Sequence, residues 1–262
     1  MSVEKKRIVV KVGSSTITYQ NGKANIRKIE RLARVMSDLH NSGHEMVLVS
    51  SGAIAVGVGR LELNVKPEST RMKQAAAAVG QCDLMFMYDK LFGEYNTPVA
   101  QILLTRDIVE DENRKENTEN TFAALIEMGV IPIVNENDTV STEEIFFGDN
   151  DHLSAIVAEL CSADLLIMVT DTDGLYDKDP RIDSSAKLIS HVEHITPEMR
   201  ECAGGSGTLR GTGGMHTKVL AAEYAVERGI KAMIISGEEP ELIYKAVNGD
   251  AVGTTFEPVS VE

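Results

Sequence analysis

The chain has 262 residues, 43% of them hydrophobic, enough apolar surface for one large core, and a formal net charge of -14 at pH 7. That charge excludes duplex nucleic acid as a main partner, because such binding is dominated by Lys and Arg on phosphates. Cys82, Cys161 and Cys202 are odd in number, widely spaced and without a CxxC pair, which excludes a disulfide framework or a zinc site and points to a reducing, cytoplasmic compartment.

The N-terminus is charged and runs directly into a strand-like segment without a signal-peptide apolar region, and no later apolar run reaches the ~20 residues of a membrane span. Short β-branched runs at 8–12, 46–49, 99–104, 130–134, 165–169 and 232–235 alternate with helical patterns at 26–39, 68–92, 120–128, 152–160 and 215–227. This rhythm predicts an α/β fold in one domain, a mainly parallel open sheet of about eight strands wrapped by helices. The polar stretch 111–119 reads as a solvated loop or helix face, and Met85 and Met87 with their aromatic neighbours read as core. His40 and His44, and His191 and His194, read as surface histidines without a third metal ligand.

Polar punctuation follows most of these strands. Lys11 interrupts the apolar run of the first and precedes Gly13, Ser14 and Ser15, whose backbone N–H groups can approach an anion. Either Lys11 reaches solvent from an edge strand, or an anionic partner draws it inside, since burial alone is costly. After the second strand Ser50, Ser51 and Gly52 open a small-residue helix, where hydroxyls at the N-cap serve ordinary capping or an anion. Gly57 and Gly59 make that helix a poor choice for stability alone.

Asn135, Glu136, Asn137 and Asp138, and again Gly148, Asp149, Asn150 and Asp151, crowd amides and carboxylates around a potential hairpin at 142–147. They suit a cation, an ammonium group or simple Asx turns, while calcium-loop spacing is absent. Asn137, Asp138 and Thr139 also match the glycosylation pattern, which without secretion carries no meaning. Residues 170–181, beginning at Thr170 and Asp171, form a long turn-rich loop of the kind usually kept for function. Gly211, Thr212, Gly213, Gly214, Met215, His216, Thr217 and Lys218 form a glycine-rich turn opening a helix, a phosphate cradle that fits neither the P-loop nor the GxGxxG spacing. In open α/β sheets ligands bind beyond the carboxyl ends of strands, so these loops are expected to face one site.

Together the segments VKVGSS, SSGAIAVG, AVGQ, NEND, FGDND, TDTDGLYDKDPR and GTGGMHTK resemble the amino-acid kinase family over essentially the whole chain. The paired NEND and GDND clusters are similar to the members that phosphorylate the side-chain carboxylate of L-glutamate, the first step of proline biosynthesis. The resemblance implies an αβα sandwich, ATP with Mg²⁺, and no protein-borne metal site. It implies that Lys11 and Lys218 bind phosphate and that Asp151 orients them, these three being the catalytic set. Ser51, Gly52, Asp138 and Asn150 would contact glutamate. Lys11, Gly13, Thr170, Asp171 and residues Thr212, Gly213, Gly214, Met215, His216, Thr217 and Lys218 would contact ATP, with His216 standing where Ser is common. A homo-oligomer, dimer or tetramer, and feedback inhibition by proline are further implications, with the exposed face of the 68–92 helix as one possible contact.

Many members continue into a C-terminal RNA-binding-like PUA domain, and residues 1–262 are expected to be a single kinase domain without one. A carboxylate kinase of the same fold acting on N-acetylglutamate or aspartate is an alternative, as is a non-catalytic nucleotide-binding regulator. For glutamate, a reference carboxylate pKa of ~4.3 means the nucleophile is already ionised, so positioning and charge neutralisation replace a general base.

Overall fold

The computed structural model describes residues 4–63, 67–141, 150–203 and 214–259. Strands β1 (Arg7–Val12), β2 (Glu45–Val49), β3 (Val99–Leu104), β4 (Ile131–Glu136), β5 (Leu165–Thr170), β6 (His191–Val192), β7 (Lys231–Ser236) and β8 (Thr254–Phe256) form one sheet in the order β3-β4-β2-β1-β5-β7-β8-β6. All pairings are parallel except β7 with β8. β6 and β8 have two and three residues, too short for side-chain alternation to reveal them in the sequence.

Alternation along each strand sends side chains to two cores. Ile8, Val10, Leu48, Ile133 and Ile167 face helices α2 (Ile26–Asn41), α4 (Thr70–Gly93) and α9 (Leu242–Asn248). Val9, Val47, Val134 and Leu166 face α5 (Glu112–Glu127), α6 (Asp151–Leu160) and α8 (Met215–Val226). The result is the expected αβα sandwich. α1 (Ser14–Ile17), α3 (Ala53–Arg60) and α7 (Pro197–Ala203) complete the described α-helices.

The stretch 111–119 belongs to α5: Asp111 is its N-cap, with Oδ1 accepting the Arg114 N–H at 3.0 Å, and the polar face that follows is exposed. Met85 and Met87 pack against the core beside buried Tyr88 and Phe92, whereas Phe86 is exposed. The hydroxyls of Ser50 and Ser51 do not cap α3. Its N-cap is Gly52 at φ 89°, without a side-chain cap, a left-handed conformation that glycine adopts without strain.

Gly57 has a packing reason instead. A Cβ there would lie 1.8 Å from the Ala76 carbonyl oxygen, and one on Gly80 of α4 would lie 1.8 Å from that of Ala53, so the two glycines let α3 and α4 cross in backbone contact. His44 is another departure from the expected surface position, being buried with Nδ1 accepting the Lys6 N–H at 3.3 Å; burial, then the Lys6 charge, push its pKa down. His191 is half-exposed with Glu257 and Glu193 within 4.0 Å, so carboxylates do lie nearby. No group of three His, Cys, Asp or Glu suited to a metal occurs among the described residues.

Candidate active site

The two-faced alternation decides where the polar residues at the strand ends point. Lys11 shares the parity of Val9 and therefore faces α6 and α8 from the middle of the sheet. It is 0% exposed, so the solvent-facing edge-strand reading is removed. Its Nζ donates to Asp151 Oδ1 at 2.6 Å, and Lys218 Nζ of α8 donates to Asp151 Oδ2 at 3.0 Å. Thr217 Oγ1 lies 2.7 Å from Asp151 Oδ2 and from the Gly214 carbonyl oxygen, which ties the first turn of α8 to the same carboxylate. Asp151 opens α6, where the helix dipole also favours its negative charge. One buried carboxylate thus holds two ammonium groups at the carboxyl edge of the sheet.

Gly13 follows β1 directly, and a Cβ added to it would lie 4.0 Å from Lys11 Nζ, so backbone there runs close to the ammonium. Val12 pairs with Val169, which brings Gly13, the residue after β1, level with Thr170, the last residue of β5. Thr170 is buried and its hydroxyl donates to the exposed Asp171 at 3.2 Å. Met215 packs partly against the core, and Gly214 caps α8 through its backbone. His216 is exposed and its Nδ1 lies 3.0 Å from the Arg200 carbonyl oxygen, so that side chain turns toward α7. Thr212 and Gly213 of the glycine-rich turn, Gly148, Asp149 and the potential hairpin at 142–147 lie outside the described residues.

On the other face, Ser50 continues the parity of Leu48 and Asn135 that of Ile133, so both meet α4. Ser50 Oγ is 2.9 Å from the buried Tyr88 hydroxyl, and Asn135 Nδ2 donates to Gln81 Oε1 at 2.7 Å. Asn150 Nδ2 donates to the Ser50 carbonyl oxygen and to Asn135 Oδ1, both at 2.7 Å. Because Asn150 and Asp151 are consecutive, this amide network and the lysine pair abut.

Three atoms in this region are buried without a hydrogen-bond partner among the described residues: Ser51 Oγ, Asn150 Oδ1 and Asp138 Oδ1. Orphaned buried polar atoms are rare in folded proteins, and their clustering beside two buried cations marks a place for a polar ligand. Burial, reinforced by the neighbouring Glu136 carboxylate, pushes the Asp138 carboxyl up to about 7. Asp138 and Glu136 also border a cavity of about 410 Å³ against α4, with Gln81, Cys82, Met85 and Leu103 on its other walls. Gln81 and Tyr88 carry the network without having been picked out from the sequence, and Ser50 and Asn135 had been named there only within their polar clusters, with no role of their own. Their only signal there is their position in the SSGAIAVG, AVGQ and NEND segments and in a helix read as core.

A model of the Amino acid kinase family matches residues 6–236. The chain is 57% identical over 257 residues to the glutamate 5-kinase of Clostridium perfringens (strain 13 / Type A), covering 97% of this chain and 96% of that protein. It is 53% identical over 254 residues to the glutamate 5-kinase of Clostridium tetani (strain Massachusetts / E88), covering 97% and 95%. Among solved structures it is similar to an isopentenyl phosphate kinase substrate complex at TM-score 0.65 and 18% identity, covering 96% of this chain and all of that one, a likeness of fold alone.

Proposed function

This chain belongs to the amino acid kinase family, and from that membership we infer that it transfers the γ-phosphoryl group of ATP to the side-chain carboxylate of L-glutamate, opening proline biosynthesis. The observation that carries the substrate assignment is the coincidence of Ser51, Asp138 and Asn150, each with a buried oxygen lacking a described partner, with the residues that the resemblance gives to glutamate. Asp138 and the Asn150 oxygen are acceptors that suit the α-ammonium, and the Ser51 hydroxyl suits a carboxylate.

Glutamate's reacting carboxylate is ionised at neutral pH, so the site must bring two anions together rather than remove a proton. Lys11 and Lys218 supply that neutralisation, and Asp151 holds both ammonium groups in place before substrates arrive, so little reorganisation accompanies the in-line transfer. Gly13, Thr170, Asp171 and the turn through Thr212, Gly213 and Gly214 into Met215, His216 and Thr217 would hold the nucleotide, the last three at the amino end of α8. Mg²⁺, brought with ATP, would add to the charge neutralisation that the two lysines supply.

The same reading extends to a cytoplasmic enzyme, to proline as a feedback ligand, and to a homo-oligomer built on the exposed face of α4 that includes Met72 and Phe86. Added proline then lowers the rate, and sedimentation gives a dimer or tetramer.

The deciding experiment traps the acyl phosphate as a hydroxamate with hydroxylamine in the presence of ATP and Mg²⁺. Glutamate is expected to give signal while N-acetylglutamate and aspartate do not, and Lys218→Ala to lose turnover while still binding ATP. Signal with another acid would correct the substrate, and tight ATP binding without product from any acid would leave a non-catalytic nucleotide-binding protein.

A further inference from the structure

The geometry points to Gln81 of α4 as a positioning residue for the glutamate site, and we propose that it acts by accepting one hydrogen bond rather than by touching the substrate. The inference rests on the glutamate reading above. Asn135 is 1% exposed, and its amide makes three contacts of fixed sense. Oδ1 accepts the Glu136 backbone N–H at 2.9 Å and Asn150 Nδ2 at 2.7 Å, while Nδ2 donates to Gln81 Oε1 at 2.7 Å. Asn150 uses Nδ2 on two acceptors, the Ser50 carbonyl oxygen and Asn135 Oδ1, which turns its own Oδ1 outward as the buried acceptor without a described partner.

A backbone donor therefore fixes the oxygen of Asn135 and a backbone acceptor fixes the nitrogen of Asn150. Among the described residues, the remaining end of this run of hydrogen bonds is held by Gln81 alone. Without its oxygen, Asn135 Nδ2 is a buried donor with nothing to bond, and the side chain can regain a partner only by turning. Turning withdraws Oδ1 from Asn150 and releases the acceptor that faces the ligand. The lysine pair abuts this network but bonds the Asp151 carboxylate, and none of the amide bonds runs through that carboxylate, so the loss is expected to fall on glutamate binding and to leave phosphoryl transfer and ATP binding in place.

A competing role exists on the same side chain. Gln81 also borders the cavity shared with Asp138, where its amide nitrogen could donate directly to a ligand. Two substitutions separate the roles. Gln81→Met keeps the length and removes the acceptor, whereas Gln81→Glu keeps an acceptor oxygen and removes the donor.

Steady-state kinetics would be measured with each substrate varied in turn, alongside thermal melting as a check on folding. Gln81→Met is expected to raise KM for glutamate roughly tenfold, the scale of one lost buried hydrogen bond, with kcat and KM for ATP within about twofold of the parent. Gln81→Glu is expected to restore KM to within about threefold. An unchanged KM in Gln81→Met overturns the proposal, as does an equal rise in KM for ATP. Failure of both variants on glutamate alone overturns it too, because the amide nitrogen would then be the working group. A parent protein inactive on glutamate would instead remove the substrate reading itself, and this inference with it.

Discussion

In the proposed glutamate site, Asp138 is the residue through which recognition would depend on pH. The residue is 5% exposed beside Glu136, and burial followed by that neighbouring charge raises its carboxyl pKa to about 7. An unfolded aspartate titrates near ~3.9, so between these values the folded protein binds the extra proton, and this group's contribution to stability falls as pH rises from about 4 to about 7. An ammonium group wants the ionised form, so the sign for binding is opposite. The kcat/KM for glutamate is expected to rise through pH 7 with an apparent pKa near 7 belonging to the free enzyme, and glutamate binding near that pH should release protons to the buffer. Asp138→Asn, which cannot titrate, is expected to bind glutamate more weakly and to lose that inflection. A profile with the same inflection in the variant would assign the titration to another group. Lys11 and Lys218 show the other side of residue-scale electrostatics: two cations are tolerated in the interior because Asp151 lies 2.6 and 3.0 Å from them.

Among the elements, the crossing of α3 and α4 sets the position of the loop that carries Ser51 and Gly52. Two reciprocal glycines make that crossing possible, so their value is in the contact between helices and not in either helix alone. Gly80→Ala forces a methyl group to within 1.8 Å of the Ala53 carbonyl oxygen, and backbone has no flexible end with which to give way. The expected cost is about 3 kcal/mol or more, a fall in Tm of roughly 6–12 °C, together with a raised KM for glutamate as α3 is displaced. Gly93→Ala at the end of the same helix meets nothing within 4 Å and serves as the neutral comparison. If both variants melted together, the close approach would have no energetic weight. The same element shows how packing overrides local pattern: Ser50 and Ser51 read as capping hydroxyls, yet Gly52 takes the N-cap and Ser50 turns to Tyr88.

For the molecule as a whole, the site exists only when distant parts of the chain meet, with Lys11, Ser51, Asn135, Asp151 and Lys218 all contributing. Ligands that bind this assembled state and not the unfolded chain must stabilise it. Glutamate at a hundred times its Kd is expected to add about 2.7 kcal/mol and to raise Tm by roughly 5–10 °C, read by calorimetry. Saturating glutamate without a shift would place its binding elsewhere or nowhere.

The alternation of strand and helix, the αβα class and most of the candidate residues were legible from the sequence, because period-2 and period-3.6 patterns and polar clusters after strands are local properties of the chain. The short strands β6 and β8 were not, nor was the choice between loop and helix face for 111–119, since two or three residues define no period and a solvated helix face resembles a loop. Local pattern also left open whether Lys11 pointed inward, and it gave no hint that Gln81 anchors Asn135 or that His44 is buried. Those outcomes depend on which strands are central, which parity faces which helix layer and which backbone groups stand opposite a side chain, and those relations are created only when the sheet closes between its two layers.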